Sequence, residues 1–575
     1  MNTLRSTGMS PLLPDEIWLI VASFTPEAAL RNCYSLNHVF HDLALDLRYK
    51  HFELSVKTYS HLENNGCCRR SKRLTIYPAS LGFWFRPPSS SGMSSESNKL
   101  KGDASTLSQR LLGPLKVYTS VSMSSEHRRV VSIFQSLVNV HSLSIVWPSE
   151  GKTAKSWVYP SLRSLNTVMP ILLCRIQALS LDLHTTSSAI CRLINSLIFP
   201  NLSSLSFFTS SSHPLAGNGS TEPIENLLKF IRNHAKTIVT LKISKAQDAV
   251  SICRRIGKQY IALPKLRHLS LPLCSPEHLW LDEYYRMLKE HISYGLTSLE
   301  LYIPPDFGPS TFQLLFSIPI PGLTLLKLIS YATPDNNTLR ASSCGPGVSY
   351  SYPASSPLAT IISRGLHVHL STQSFRTLHT LAIHVPLNLS ALLHLLENFT
   401  QCDSGVVCLA HLEVHIYLKP LQDPGDYRAS ASLLSRFFGL VDHSLSNVES
   451  LVIIFFLPSR IYGPAEGKLL KQAKNIIRAA LVDTPTFLNH RSAVTRLSLF
   501  YPGESRFYST VWAVADWSVY LLPPLMPLLP GPLDSSIVRV NDIRTILSRF
   551  PRVEDLNGKS LKVMGEWWGP WNASG

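Results

Sequence analysis

The side chains with the strongest ligand character lie in His411-Leu-Glu-Val-His415, with His379 and His384 a short way upstream. Imidazole nitrogens and a carboxylate all offer lone pairs to a divalent cation. The order differs from the helical zinc-protease motif, in which a glutamate directly follows the first histidine. On a strand, His411, Glu413 and His415 share one face, and Leu412, Val414 and Ile416 share the other. That alternation belongs to a half-buried strand, so a polar surface strip is expected rather than a metal site. The chain also lacks a phosphate-binding Gly-Lys-Ser/Thr loop, a nucleophile elbow and a Gly-rich dinucleotide turn. The expectation is a non-enzymatic protein with no catalytic residues, no cofactor and no metal, whose chemistry is recognition.

The strip needs strands to present it, and the sequence supplies them as a recurring apolar-x-x-Leu-x-apolar pattern. Copies are Val140/Leu143/Ile145, Ile176/Leu179/Leu181, Leu202/Leu205/Phe207, Ile238/Leu241/Ile243, Leu266/Leu269/Leu271, Leu296/Leu299/Leu301 and Leu323/Leu326/Leu328. Less regular copies follow at Leu378/Leu381/Ile383, Leu409/Leu412/Val414, Val448/Leu451/Ile453 and Val494/Leu497/Leu499. From Leu179 to Leu205 the middle leucines step by 26, and from Leu241 through Leu269 and Leu299 to Leu326 by 28, 30 and 27. Helix-like stretches such as Ile224–Ile231 and Leu392–Phe399 fall between copies. One strand and one helix per repeat, stacked so that the leucines share a core, accounts for these periods. The fold class read from this is α/β.

Composition agrees. Hydrophobic residues make up 45% and charged residues 16%, which supports a large core and excludes a disordered chain. Lys and Arg exceed Asp and Glu by 54 − 38 = 16, but the basic residues are dispersed. The one tight group, Arg69, Arg70, Lys72 and Arg73, reads as a solvated turn. A basic repeat scaffold that binds nucleic acid or an acidic protein is the alternative such a charge allows. Ten cysteines without a C-x-x-C pair suggest reduced thiols, and so a cytoplasmic or nuclear protein. No stretch suits a membrane span: Leu451–Leu457 is too short, and Val519–Leu533 carries five prolines.

Residues 87–110 are Ser/Pro-rich and read as a disordered loop. Residues 51–56 and 73–77 look strand-like, so 51–86 holds first strands or a connector to the array. Residues 333–358 read as an insertion. Residues 111–575 form the repeat domain, closed by an aromatic cap at Glu566–Trp571.

The N-terminus differs from the rest. Leu12–Phe24 reads as a helix that opens at Pro14, with Asp15 and Glu16 in its first turn and an apolar stripe of Ile17, Ile20, Val21 and Phe24. Thr25-Pro26 restarts a helix whose inner face is Leu30, Cys33 and Leu36. Asn37 caps a third, with a stripe of Phe40, Leu43, Ala44 and Leu47. Leu13-Pro14-Asp15-Glu16-Ile17 followed by Leu36-Asn37-His38-Val39-Phe40-His41-Asp42-Leu43-Ala44 resembles the F-box motif over residues 11–50. Phe40 stands where that family often has Trp, and Asn37 where it often has Cys.

The resemblance implies a three-helix F-box ahead of a degenerate leucine-rich-repeat solenoid. It implies a substrate-recognition subunit of a Skp–cullin–F-box ubiquitin ligase, with Leu13, Pro14, Ile17, Ile20 and Phe40 meeting the Skp-type adaptor. The unknown protein target would then lie on the polar face of the repeat strands, at His268, Glu300, Tyr302, Lys327, His411, Glu413 and His415. Lys242, Ser270, His384 and Arg496 extend that strip, whose mixture of charge, histidine and aromatic groups suits a protein better than a nucleic acid.

Overall fold

The computed structural model describes residues 14–23, 25, 27–54, 65–78, 125–147, 165–183, 188–208, 222–243, 246–272, 295–303, 320, 322–330, 377–387, 389–401, 408–417, 424–445, 447–456, 475–476, 479–480, 493–500, 552–556 and 559–560. Leu13, Phe24, the loop at 87–110, the insertion at 333–358 and the aromatic segment Glu566–Trp571 lie outside the described residues. The chain divides into two compact units, 1–256 with 263–265 and 257–262 with 266–575.

The first unit begins with three helices, α1 (Asp15–Ser23), α2 (Glu27–Asn32) and α3 (His38–Tyr49). Strands and helices then alternate. They are β1 (His51–Leu54), α4 (Asn65–Arg70), β2 (Arg73–Ile76), α5 (Ser125–Ser136) and β3 (Ser142–Trp147), then β4 (Ala178–Leu183), α6 (Ser188–Ser196) and β5 (Ser204–Phe208). They continue with α7 (Glu222–His234), β6 (Thr240–Ile243) and α8 (Ala246–Lys258). Strands β1 to β6 lie side by side in chain order, each parallel to the next.

Their register aligns Phe52, Leu74, Leu143, Leu179, Leu205 and Leu241 in one column. Leu54, Ile76, Ile145, Leu181, Phe207 and Ile243 form the next column, and every member of both is buried. Strands β1 and β2 thus extend the leucine columns upstream of the copies that the sequence pattern displays.

The second unit repeats the plan with β7 (His268–Pro272), β8 (Ser298–Ile303), β9 (Leu325–Ser330), β10 (Thr380–Leu387), α9 (Leu389–Gln401), β11 (His411–Tyr417) and α10 (Pro424–His443). It closes with β12 (Ser450–Phe456), β13 (Arg496–Phe500), β14 (Asp555–Leu556) and β15 (Lys559–Ser560). Strands β7 to β14 are parallel in chain order, and β15 pairs antiparallel with β14. Leu269, Leu299, Leu326, Leu381, Leu412, Leu451 and Leu497 share one buried column; Leu271, Leu301, Leu328, Ile383, Val414 and Ile453 share another.

The apolar residue ahead of each strand is buried as deeply: the positions from Val140 and Ile176 through Val448 and Val494 are all 0–1% exposed. Each such side chain stabilises the array by about 1.5–3 kcal/mol through lost apolar surface. Strand β8 alternates partly exposed and buried positions throughout. Parallel sheets covered on both faces read as continuous apolar runs. The alternation therefore marks one face for the core and leaves the other for polar groups.

Strand starts in both units are fixed by a backbone ladder. The amide just before the strand and the strand's first amide both donate to the carbonyl of the residue that precedes the previous strand. In the first unit His141 and Ser142 donate to Lys72, Gln177 and Ala178 to His141, and Ser203 and Ser204 to Gln177. In the second unit Thr324 and Leu325 donate to Thr297, and Ala410 and His411 to His379. Hydroxyls reinforce the ladder: Thr297 Oγ1 donates to the Arg267 carbonyl at 3.1 Å, and Thr324 Oγ1 to the Thr297 carbonyl at 3.0 Å. Buried polar backbone needs such partners wherever the chain leaves regular structure.

The basic group at 69–73 is not a solvated turn. It comprises the end of α4 and the start of β2, and Arg70 reaches back to α3. Its guanidinium donates to Asp42 Oδ1 at 3.0 Å, to Asp46 Oδ1 at 2.5 Å and to the Asp42 carbonyl at 3.0 Å. This fork joins the N-terminal helices to the first strands. The two carboxylates are more than half exposed, so their pairing is screened by solvent. The expected effect of Arg70→Met is a loss of about 1 kcal/mol in urea unfolding. A loss within measurement error would show that the fork joins the elements without stabilising them.

Candidate functional site

Two surfaces carry groups that a folded chain ordinarily hides. The first is on the N-terminal helices. Pro14 opens α1, and its carbonyl accepts from the amides of Ile17 and Trp18. Asn37 caps α3, with its Oδ1 accepting from the Phe40 amide at 3.0 Å. Asp15 at the head of α1 meets His38 Nε2 at 2.9 Å. The core of this unit is Ala22, Leu30 and Phe40, with Trp18, Cys33, Leu43 and Leu47 packed against it. Trp18 meets Phe40 edge-on at 5.8 Å between ring centres.

This packing fixes the orientation of α1. Trp18 and Ala22 point inward; Ile17, Leu19, Ile20 and Val21 are 39%, 51%, 54% and 40% exposed. A nine-residue helix with apolar groups nearly all round can bury only one side, and the side with the largest ring wins. The second helix ends at Asn32, so Leu36 lies beyond it and is 65% exposed instead of facing inward. The Thr25 hydroxyl donates to the Val21 carbonyl and closes α1.

Of the residues expected to meet a partner, Pro14, Ile17 and Ile20 are exposed, whereas Phe40 is 2% exposed and serves the helical core. Leu19, Val21 and Leu36 join the surface, though the expected contact set omitted them. The unbroken apolar run from Trp18 to Val21 was the signal for the first two.

The second surface is the polar face of β7 to β13. Register places Ser270, Glu300, Lys327, Ala382, Glu413 and Val452 in one row. His268, Ser298, Leu325, Thr380, His411, Ser450 and Arg496 form another row, of which His268 and Arg496 are exposed. Tyr302 OH lies 3.3 Å from Glu300 Oε1, and Lys327 Nζ lies 3.9 Å from the same oxygen. Lys242 belongs to β6 of the first unit.

The row is less open than the sequence implies. Ser270 is 4% exposed, and the side chains of Glu300 and Lys327 are each 14% exposed.

His384, Glu413 and His415 converge in this face. His384 Nε2 is 2.9 Å from Glu413 Oε1, and the two imidazoles stack at 4.5 Å with their planes 6° apart. Burial alone would push the Glu413 carboxyl up. His384, at 2.9 Å, together with His415 and Lys327, holds it at about 2. Burial and the neighbouring His384 push His415 well below the ordinary histidine value, against the pull of Glu413. Burial likewise lowers His411.

Among the described residues, His384, Glu413 and His415 are the ligand-type set whose donor atoms all lie within 4.8 Å of one another. The pattern His411-x-Glu-x-His415 supplies two of these three; the third comes from the neighbouring strand. No model of a protein family matches the chain, and no curated protein matches it.

Proposed function

We propose that the chain is a substrate receptor of a Skp–cullin–F-box ubiquitin ligase. In this reading the N-terminal helices form an F-box that docks on the Skp-type adaptor, and the leucine-rich-repeat-like strands hold a protein target. The observation that carries the reading is the exposure of the apolar side chains Ile17, Leu19, Ile20 and Val21 on α1 beside a capped three-helix core. A helical unit with so few buried residues gains nothing by presenting them to water, whereas a partner that covers them stabilises it. The mixed charges on the strand face favour a protein target over nucleic acid.

The test is reconstitution of the full chain with a Skp-type adaptor, followed by size-exclusion chromatography. Co-elution as one complex is the expected result, and separate elution of two folded proteins would sink the reading. Target capture is tested separately. Lys327 and Glu413 are too enclosed for charge reversal without repacking, so the variant is His268→Glu with Arg496→Glu, both at exposed positions. Loss of proteins recovered with the wild-type chain, with adaptor binding intact, is expected. Unchanged recovery would move the target off this row.

A further inference from the structure

We propose that His384, Glu413 and His415 form a binding site for one divalent transition metal of the zinc class. A local departure from regular pairing assembles it. Ala382 pairs with Glu413 and Ile383 with Val414, but the next pair is Leu387 with Ile416. Residues 384–386 of β10 therefore stand opposite His415 alone. Pro386 sits inside this bulge, where a residue without an amide hydrogen is tolerated. Bulges re-aim side chains, and here the bulge sets the His384 ring beside that of His415, next to Glu413.

The surroundings favour an ion. Ile329, Ala382, Val452 and Ile454 are the register neighbours of the three ligands, and none carries a polar side chain. Ile329 and Ala382 are each 4% exposed. Two imidazoles and a carboxylate are thus withdrawn together from most of the water that would solvate their lone pairs. A divalent cation accepts one lone pair from each. Zinc takes imidazole nitrogen and carboxylate oxygen at about 2.0–2.2 Å, with three protein ligands and an open fourth position as a recurrent arrangement.

Such bonds require donor separations of about 3.3 Å, so loading adjusts the present spacing, in which the donor atoms lie within 4.8 Å of one another and His384 Nε2 is 2.9 Å from Glu413 Oε1. It also turns one ring out of the stack by rotation about χ2. Lys327 opposes the ion, and Glu300 restrains it at 3.9 Å. That opposition gives the site a signature beyond its ligands. Removing the Lys327 charge strengthens binding, and removing the Glu300 charge weakens it.

The experiment uses the full chain without a histidine tag, loaded with zinc chloride, desalted and assayed by mass spectrometry for retained metal. One zinc per chain is expected in the wild type, with His384→Asn and Glu413→Gln each lowering affinity by more than about a hundredfold. Lys327→Met should tighten binding and Glu300→Gln loosen it, each by about tenfold. Circular dichroism checks that each variant folds. Cobalt provides a second readout that needs no variant: strong visible bands of a four-coordinate site support the proposal. A wild-type chain that retains no zinc, ligand variants that retain as much as the wild type, or a cobalt spectrum like that of the aqueous ion overturns it.

Discussion

On the proposed reading, Ile17→Asp combined with Ile20→Asp is expected to abolish capture of a Skp-type adaptor and to leave the N-terminal helices folded. Both side chains stand in solvent in the free chain, so aspartate at either position costs the fold little. In the complex each would carry a carboxylate into an apolar contact, at on the order of 3 kcal/mol per group. Two such penalties lower affinity by about four powers of ten, beyond detection in a pull-down.

The contrast with Phe40 makes the result interpretable. Phe40 lies against Trp18 inside the helical core, and Phe40→Ala should cost about 3–5 kcal/mol of stability. It would lose the adaptor by unfolding the helices, with a fall in helical circular dichroism that the double aspartate variant does not show. Undiminished capture by the folded double variant would mean that the apolar face serves another partner.

The difference between those two positions marks where the sequence was legible. The leucine columns could be read because a strand with one buried face must alternate, and a stacked array must repeat the alternation. Leu143, Leu179, Leu205 and Leu241 fall in register as the pattern requires. The cap at Asn37 was legible for the same local reason, since its carboxamide needs only the amide three residues on.

The inward side of α1 was not legible. Trp18, Leu19, Ile20 and Val21 are consecutive, and helical periodicity then offers two competing stripes. Tertiary contact with Phe40 decides between them. The meeting of His384 with His415 was hidden too. It joins residues 31 apart and depends on a register shift that Pro386 alone foreshadows. Pattern reading resolves faces within a strand, not which residue a bulge sets beside which.

The second large effect is expected at His234, a residue that motif reading passes over. It ends α7 and is 3% exposed. Its ring lies 4.3 Å from Phe230 and 6.0 Å from Phe199. Its Nε2 accepts the Phe199 amide at 2.9 Å, and its Nδ1 is 2.8 Å from the Phe230 carbonyl. An amide can only donate and a carbonyl can only accept. The ring is therefore neutral, with its proton on Nδ1, and it links a helix end to the segment that leads into β5.

Replacement by alanine opens a cavity beside Phe199 and Phe230 and strands a buried amide. His234→Ala should cost about 2–4 kcal/mol. Hydrogen exchange of peptides that contain Phe199 should show the loss directly, and unchanged protection of that amide would refute the role.

The same geometry fixes a pH dependence. Burial lowers the affinity of His234 for a proton below that of a free histidine, and the Phe230 carbonyl only partly offsets this. In the unfolded chain the ring titrates near its ordinary value of about 6.5. The unfolded state thus binds the extra proton first. The contribution of His234 is fully present above about pH 6.5 and is lost as pH falls from there toward the lower folded value. His141, His411 and His415 are lowered as well, so the whole-chain slope does not isolate it.

A difference does. In His234→Gln the carboxamide can accept from Phe199 and donate to Phe230 at every pH. This variant should be less stable than the wild type at pH 7.5, and the gap should narrow as the pH is lowered to about 5. A gap that stays constant across that range would mean that His234 is not held neutral by its two backbone partners.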